Sequence, residues 1–215
     1  MRIGIVGGTG KEGSGLGLRW ALAGHEVVIG SRDEQRARGK AAELQARVPA
    51  ARVSGMSNAD AVAAADIVVL AVPADGLAAT LPDVREACRG KVVVSTVVPL
   101  TFGGKRLYNP PPQGSAAEEA QELLGPEAKV VAAFHHIAAH ELAAGEHDIE
   151  CDLLLCGGDA AAKGVVSELG ASMGLRPVDV GALGNAGPLE GITAVLATIN
   201  RRYKLKNSGI KITGL

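Results

Sequence analysis

One stretch near the start restricts the fold more than any other. The apolar run Arg2-Ile-Gly-Ile-Val6 passes directly into Gly7-Gly-Thr-Gly-Lys-Glu-Gly13, and a leucine- and alanine-bearing segment follows with no proline to interrupt it. A strand must turn at once into a helix here. Gly8-Thr9-Gly10-Lys11-Glu12-Gly13 has G-x-G-x-x-G spacing, in the context where that spacing carries a mechanism. Gly8 is expected to permit the tight turn, Gly10 to let the backbone approach a pyrophosphate, and Gly13 to let the helix pack close to the strand. Free N–H groups at the helix start, together with the positive end of its dipole, then form an anion site. The six residues from Gly8 to Gly13 are the expected phosphate-binding turn.

The remainder repeats the same alternation. Strands are expected at Arg2–Val6, Glu26–Gly30, Asp66–Val72, Lys91–Thr96 and Val130–Phe134, and helices at Gly13–Ala23, Asp33–Arg47, Asn58–Ala64, Ala74–Cys88 and Ser115–Leu124. Unbroken runs such as Asp66-Ile-Val-Val-Leu-Ala-Val72 suit strands buried on both faces. After residue 150 the pattern continues: Cys151–Asp159 as strand and turn, Ala160–Gly174 as helix, Leu175–Gly181 as strand and Leu189–Lys204 as a terminal helix. This predicts an α/β fold. Its core is a doubly wound parallel (Rossmann-type) sheet, with a small C-terminal α/β extension packed on it. The expected division is a nucleotide-binding part over 1–135 and a smaller part over 136–215 that closes the acceptor pocket. Thr101–Ser115, rich in glycine and proline, is the one long loop, and a loop of that length is more often functional than filler.

Which dinucleotide is bound is decided at the end of the second strand. An NAD site would place a carboxylate there for the ribose hydroxyls. This chain has Gly30-Ser31-Arg32, with Arg36 four residues on. A 2′-phosphate, with about two negative charges, is repelled by a carboxylate and favoured by a hydroxyl and arginines. Ser31, Arg32 and Arg36 are therefore assigned to that phosphate and the cofactor is read as NADP(H), while Arg38 reads as an exposed helix residue. Asp33 and Glu34 suit a helix N-terminus. Val72 and Pro73, and Val98 and Pro99, fall at the carboxyl ends of two further strands, where open α/β sheets bind ligands.

Composition excludes several alternatives. Net charge is −1 and the chain holds one Trp, two Tyr and two Phe, so neither a phosphate-tracking surface nor a set of stacking platforms for nucleic acid is present. No apolar run is long enough to span a bilayer, and the start lacks the apolar core of a signal peptide. With three cysteines (Cys88, Cys151 and Cys156), a cytoplasmic protein with reduced thiols is expected. Expected partners are small-molecule cofactors, with no nucleic acid or membrane.

Catalytic side chains are harder to find. The densest polar group is His135, His136 and His140, of which the latter two would share a face on a helix. Glu141 and His147 could add ligands, but the spacing matches no zinc motif, and no metal is assigned. No acid–base pair stands out, and no catalytic residue is assigned. A ketone reductase needs a proton donor beside the developing alkoxide. Hydride exchange between two cofactor rings needs mainly proximity and alignment.

Taken in order, "MRIGIVGGTGKEGSGLGLRWALAGHEVVIGSRD", "DIVVLAVP", "VVVSTVVPL", "AFHHI" and the terminal "NSGIKITGL" resemble the NADPH-dependent coenzyme F420 reductases (F420:NADP oxidoreductases) over almost the whole chain. The resemblance implies an enzyme carrying hydride between NADPH and the deazaflavin coenzyme F420. Thr9, Ser31, Arg32 and Arg36 fall on NADP-contacting positions, and His135 and Ile137 on the pair lying against the deazaflavin. Ala138 stands where a proline is expected, and His136 where relatives have a small residue. The family also implies a homo-oligomer, a dimer in the first instance. Lys105, Arg106, Arg201, Arg202 and Lys204 could steer an anionic tail or simply solvate the surface, and Glu190 could face the pocket. The alternatives are an NADP-dependent reductase with an imine, flavin or ferric acceptor, and a non-enzymatic NADP sensor.

Overall fold

The computed structural model describes residues 1–145 and 147–215. Its strands are β1 (Arg2–Val6), β2 (Glu26–Ser31), β3 (Arg52–Ser57), β4 (Ile67–Leu70), β5 (Val92–Ser95), β6 (Lys129–Ala133), β7 (Asp152–Gly157) and β8 (Arg176–Asp179). Its helices are α1 (Lys11–Leu22), α2 (Glu34–Arg47), α3 (Asn58–Ala64), α4 (Leu77–Val84), α5 (Ala116–Leu124), α6 (Ala139–Ala144), α7 (Ala160–Ala171) and α8 (Ala186–Tyr203). The strands form one sheet in the order β3-β2-β1-β4-β5-β6-β7-β8. The first six are parallel; β7 pairs antiparallel with β6 and parallel with β8, so the last two strands extend the same sheet in reverse.

The unbroken apolar strands are sandwiched, as expected. Val69 points to the layer holding Leu16, Ala37, Leu142 and Val166 of α1, α2, α6 and α7. Its neighbours Val68 and Leu70 point to the opposite layer, with Val62, Leu77, Ala117 and Leu189 of α3, α4, α5 and α8. The alternation of side chains along a strand distributes each run between two cores. Chain order reverses between β1 and β4, which is the switch point where such sheets hold ligands.

Several boundaries differ from the sequence reading. Arg52–Ser57 forms β3, although no strand is expected there. It is an edge strand of half-buried residues, Arg-Val-Ser-Gly-Met-Ser, without an apolar run. Gly55 is needed because α2 crosses it closely: an added Cβ would lie 2.3 Å from the Ala37 carbonyl carbon. The expected helix 74–88 breaks into a 3-10 turn at Ala74–Gly76, α4 and a second 3-10 turn at Glu86–Cys88. Pro82 lies within α4, where it removes a helix hydrogen bond. The loop Thr101–Ser115 is partly ordered as a hairpin: Leu100 bridges Tyr108, and the Thr101 N–H donates to the Leu107 carbonyl (2.8 Å). Among the described residues no helix is long and apolar enough to cross a membrane.

Candidate functional site

A cleft of about 1000 Å³ opens at the carboxyl ends of β1, β2 and β4. Of the predicted residues, Thr9, Gly10, Lys11, Glu12, Ser31, Arg32, Arg36, Val72 and Pro73 line it. Gly8 and Gly13 sit behind this surface. A Cβ on Gly13 would lie 2.9 Å from the Gly8 Cα, so this glycine allows α1 to close on the turn, as expected. The tight turn itself is a correction: Gly7, not Gly8, has the left-handed backbone (φ 76°). Gly8 instead packs beneath the turn, where a Cβ would be 3.1 Å from Ile29 Cγ2. A Cβ on Gly10 would meet only the Gly7 carbonyl at 3.5 Å, which leaves the cleft side open for a ligand to approach the backbone. The N-cap of α1 is this same Gly10, with no side-chain cap, so the first turn presents free N–H groups to the cleft.

At the end of β2 the cations are divided. Arg38 pairs with Glu34 at 2.6 Å. No ion pair among the described residues engages Arg32 or Arg36. Asp33, next to Arg32 in the chain, caps α2 by accepting the N–H groups of Gln35 (2.9 Å) and Arg36 (3.2 Å). Its charge is thereby held at the helix start, where the dipole favours it. Ser31 accepts the Asp33 N–H (3.2 Å) and still has its hydroxyl proton to donate.

A second hollow, of about 730 Å³, adjoins the first and shares Pro73 and Asp75 with it. Val98 and Pro99 line it, together with Thr101, Phe102 and Asn109 of the hairpin. Phe102 is 75% exposed at its rim.

His135 and Ile137 follow β6 on the same edge of the sheet. Both are buried, and neither lines either hollow. Phe134, just before them, holds a left-handed backbone (φ 67°), a strained state for a bulky residue. Its ring is fixed edge-on against Trp20 at 5.5 Å, and the His135 carbonyl accepts the Thr193 hydroxyl of α8 (3.0 Å). Among the described residues neither ring nitrogen of His135 has a partner, and burial holds its pKa down at about 3, so the ring is neutral.

The helical pairing of His136 with His140 does not form, because α6 starts only at Ala139. His136 turns into the protein instead. Its Nε2 donates to the Asp152 carbonyl (2.8 Å), and burial keeps the ring uncharged. His140 is exposed, and His147 pairs with Glu141 at 2.5 Å. Glu190 lines neither hollow. It is fully buried, accepts the N–H groups of Ala116 and Ala117 (both 3.0 Å), and accepts the Tyr108 hydroxyl (3.2 Å).

Two contributors were missed in the sequence. Asn58 lines the cleft and accepts the Gly7 N–H through Oδ1 (3.2 Å), which fixes the turn. The signal was its place just after β3, a strand that the sequence pattern hid. Thr193 lay unmarked in a helix, and only the packing of α8 brings it to His135.

Comparison with known proteins adds to this geometry. Residues 2–99 match the family model for NADP oxidoreductases that are coenzyme F420-dependent. The whole chain aligns with the F420-dependent NADP reductase of Methanothermobacter thermautotrophicus at 40% identity, covering 96% of that protein. It aligns equally fully with that of Methanocaldococcus jannaschii, at 39% identity over 99% of it. The crystal structure of a candidate F420-dependent NADP reductase from Arthrobacter sp. FB24 superimposes with a TM-score of 0.82, at 28% identity and over 98% of both chains.

Proposed function

The chain belongs to the coenzyme F420-dependent NADP oxidoreductases, and from that membership we propose how the two adjoining hollows divide the work. The enzyme transfers hydride between NADP(H) and coenzyme F420. In the proposed arrangement residues 1–135 hold the nucleotide and 136–215 close the acceptor pocket. Free N–H groups at the start of α1, from Lys11 onward, bind the pyrophosphate, with Thr9 and Gly10 lining its approach. Ser31, Arg32 and Arg36 bind the 2′-phosphate. The single observation carrying this reading is that, among the described residues, neither arginine has a carboxylate partner, beside an uncapped helix start and in a cleft with room for an anion.

The phosphate contacts anchor one end of the nucleotide and direct its other end past Val72 and Pro73 toward the second hollow. There Val98, Pro99 and the hairpin supply apolar walls for a flat ring. NADPH supplies the hydride, and the protein supplies alignment and exclusion of water. His135 and Ile137 are proposed to form the acceptor side of the site. The support is their place at the carboxyl end of β6 and the unpartnered His135 ring. Lys105 and Arg106 on the hairpin and Arg201, Arg202 and Lys204 after it are exposed, and are proposed to attract an anionic tail. A homodimer is proposed as well, supported by Val195 and Tyr203 of α8, which are 58% and 65% exposed. A cytoplasmic location fits three unpaired, buried thiols.

The test is to mix the protein with NADPH and F420 and follow the visible absorbance of the oxidised deazaflavin. Its loss is expected with F420 and not with flavin or ferric acceptors. Tight NADPH binding without turnover on any acceptor would favour a sensor.

A further inference from the structure

The helix that follows the His135–Ile137 turn, α6, has six residues, too few to hold a helix by themselves. Its place is decided by what grips it, and the grip comes from α1. Arg19 of α1 is 6% exposed. Its guanidinium donates to the carbonyls of Glu141 (2.5 Å), Leu142 (3.3 Å) and His147 (2.6 Å). The first two belong to the last turn of α6, where a helix leaves its carbonyls unpaired and its dipole favours a cation. No ion pair among the described residues engages Arg19. One rigid fork spans all three carbonyls, which a point-charge ammonium cannot do.

Two further contacts of α1 bracket the same segment. Trp20 meets Phe134 edge-on, immediately before His135. Gly15 lets α6 lie close, because a Cβ there would be 2.7 Å from Leu142 Cβ. The turn is thus held in front by Trp20 and behind by Arg19, with only Ala138 between Ile137 and α6. The same helix starts at the phosphate-binding turn, with Gly10 as its N-cap. Its 12 residues form one rigid piece, about 18 Å long.

We propose that Arg19 is a positioning residue for hydride transfer: through α6 it sets the seat of His135 and Ile137, so that α1 locates the acceptor side as well as the nucleotide. The inference rests on the reading of His135 and Ile137 as the acceptor side and adds the residue that places them. Arg19 reaches no cofactor. It acts by distance, since reacting atoms must come within about 3–3.5 Å and a misplacement of about 1 Å costs roughly a hundredfold.

The experiment compares the intact wild-type protein with Arg19→Lys and with Gly15→Ala. The first keeps the charge and loses the fork. The second leaves Arg19 in place and drives α6 away from α1, so it carries the test should Arg19→Lys fail to fold. Four quantities are read: the dissociation constants of NADPH and of F420, each alone, by fluorescence titration; hydrogen exchange over residues 135–144; the single-turnover rate of hydride transfer; and the emission of Trp20, the only tryptophan. Both variants are expected to exchange faster over 135–144, to bind F420 about tenfold more weakly and to transfer hydride about tenfold or more slowly. NADPH affinity should stay within about twofold, and Trp20 should keep the emission of a buried indole. Wild-type F420 affinity and transfer rate in Arg19→Lys would overturn the proposal. So would equal losses of NADPH and F420 affinity, the mark of general loosening. His135→Ala tests the underlying reading separately. Unchanged F420 binding in that variant removes the acceptor side from this turn, whereas weakened binding there and none in Arg19→Lys removes the role of Arg19 alone.

Discussion

Truncation of Glu190 to alanine tests the packing that holds the second hollow. Its carboxyl accepts two N–H groups at the start of α5 and the hydroxyl of Tyr108 on the hairpin. The variant leaves the Ala116 and Ala117 N–H groups buried and unpaired, at about 1–3 kcal/mol each. Tyr108 is half-buried and can turn its hydroxyl to water, so it adds little. Relief of the carboxyl's own burial offsets part of the loss. A net destabilisation of about 2–4 kcal/mol is expected, a large share of a typical domain's stability. Glu190→Gln keeps the volume and one acceptor oxygen, and should lose about 1 kcal/mol. The assay is urea unfolding, with the midpoint falling at constant slope.

The same carboxyl gives a pH signature. Burial raises its pKa from 4.5 to about 7 in the folded protein. Between those values the folded protein keeps a proton that the unfolded chain has lost, so stability falls as pH rises through that window. The loss amounts to roughly 3 kcal/mol in all. Glu12 contributes a slope of the same sign, so the quantity to compare is the difference between wild type and Glu190→Gln. An alanine variant within about 0.5 kcal/mol of wild type, or identical pH slopes in wild type and Glu190→Gln, would refute the reasoning.

Arg32→Ala should cut the preference for NADPH over NADH by about tenfold or more, measured as the ratio of kcat/KM values; an unchanged ratio removes Arg32 from the 2′-phosphate site. Gly55→Ala drives a Cβ into the backbone of α2 at Ala37 and Arg38, so it should destabilise by about 1–3 kcal/mol in thermal unfolding. Because α2 carries Arg36, the same substitution should also weaken NADPH binding. Asp152 accepts Arg176 and the Ile212 N–H, and its pKa is lowered from 3.8 to about 2 by those contacts. Its contribution is present above the unfolded value and lost as pH falls from about 4 to about 2. Asp152→Asn should therefore flatten acid unfolding in that window and speed hydrogen exchange at residues 209–215.

The fold was legible wherever local sequence and tertiary demand agreed. Strands β1, β2, β4, β5 and β6 are continuous apolar runs because both their faces are covered. The edge strand β3 and the six-residue α6 carried no such signal. The first is only half buried, and the second is too short to show a period.

Taken alone, the sequence determined the strand–turn–helix start, the absence of an acidic residue after β2 and the family itself. These are properties of contiguous residues, with the chemistry written into their order. Only the tertiary structure decided that Gly7 makes the left-handed turn, that His136 is bonded within the core while His135 is left unpartnered, and that Glu190 caps α5. It also decided that Glu12, one variable position in a phosphate-binding motif, is half-buried with its Oε1 turned away from solvent. Burial depends on what packs above a residue from far along the chain. For Gly15 of the same helix that partner is Leu142 of α6, about 130 residues later, and no local pattern records it.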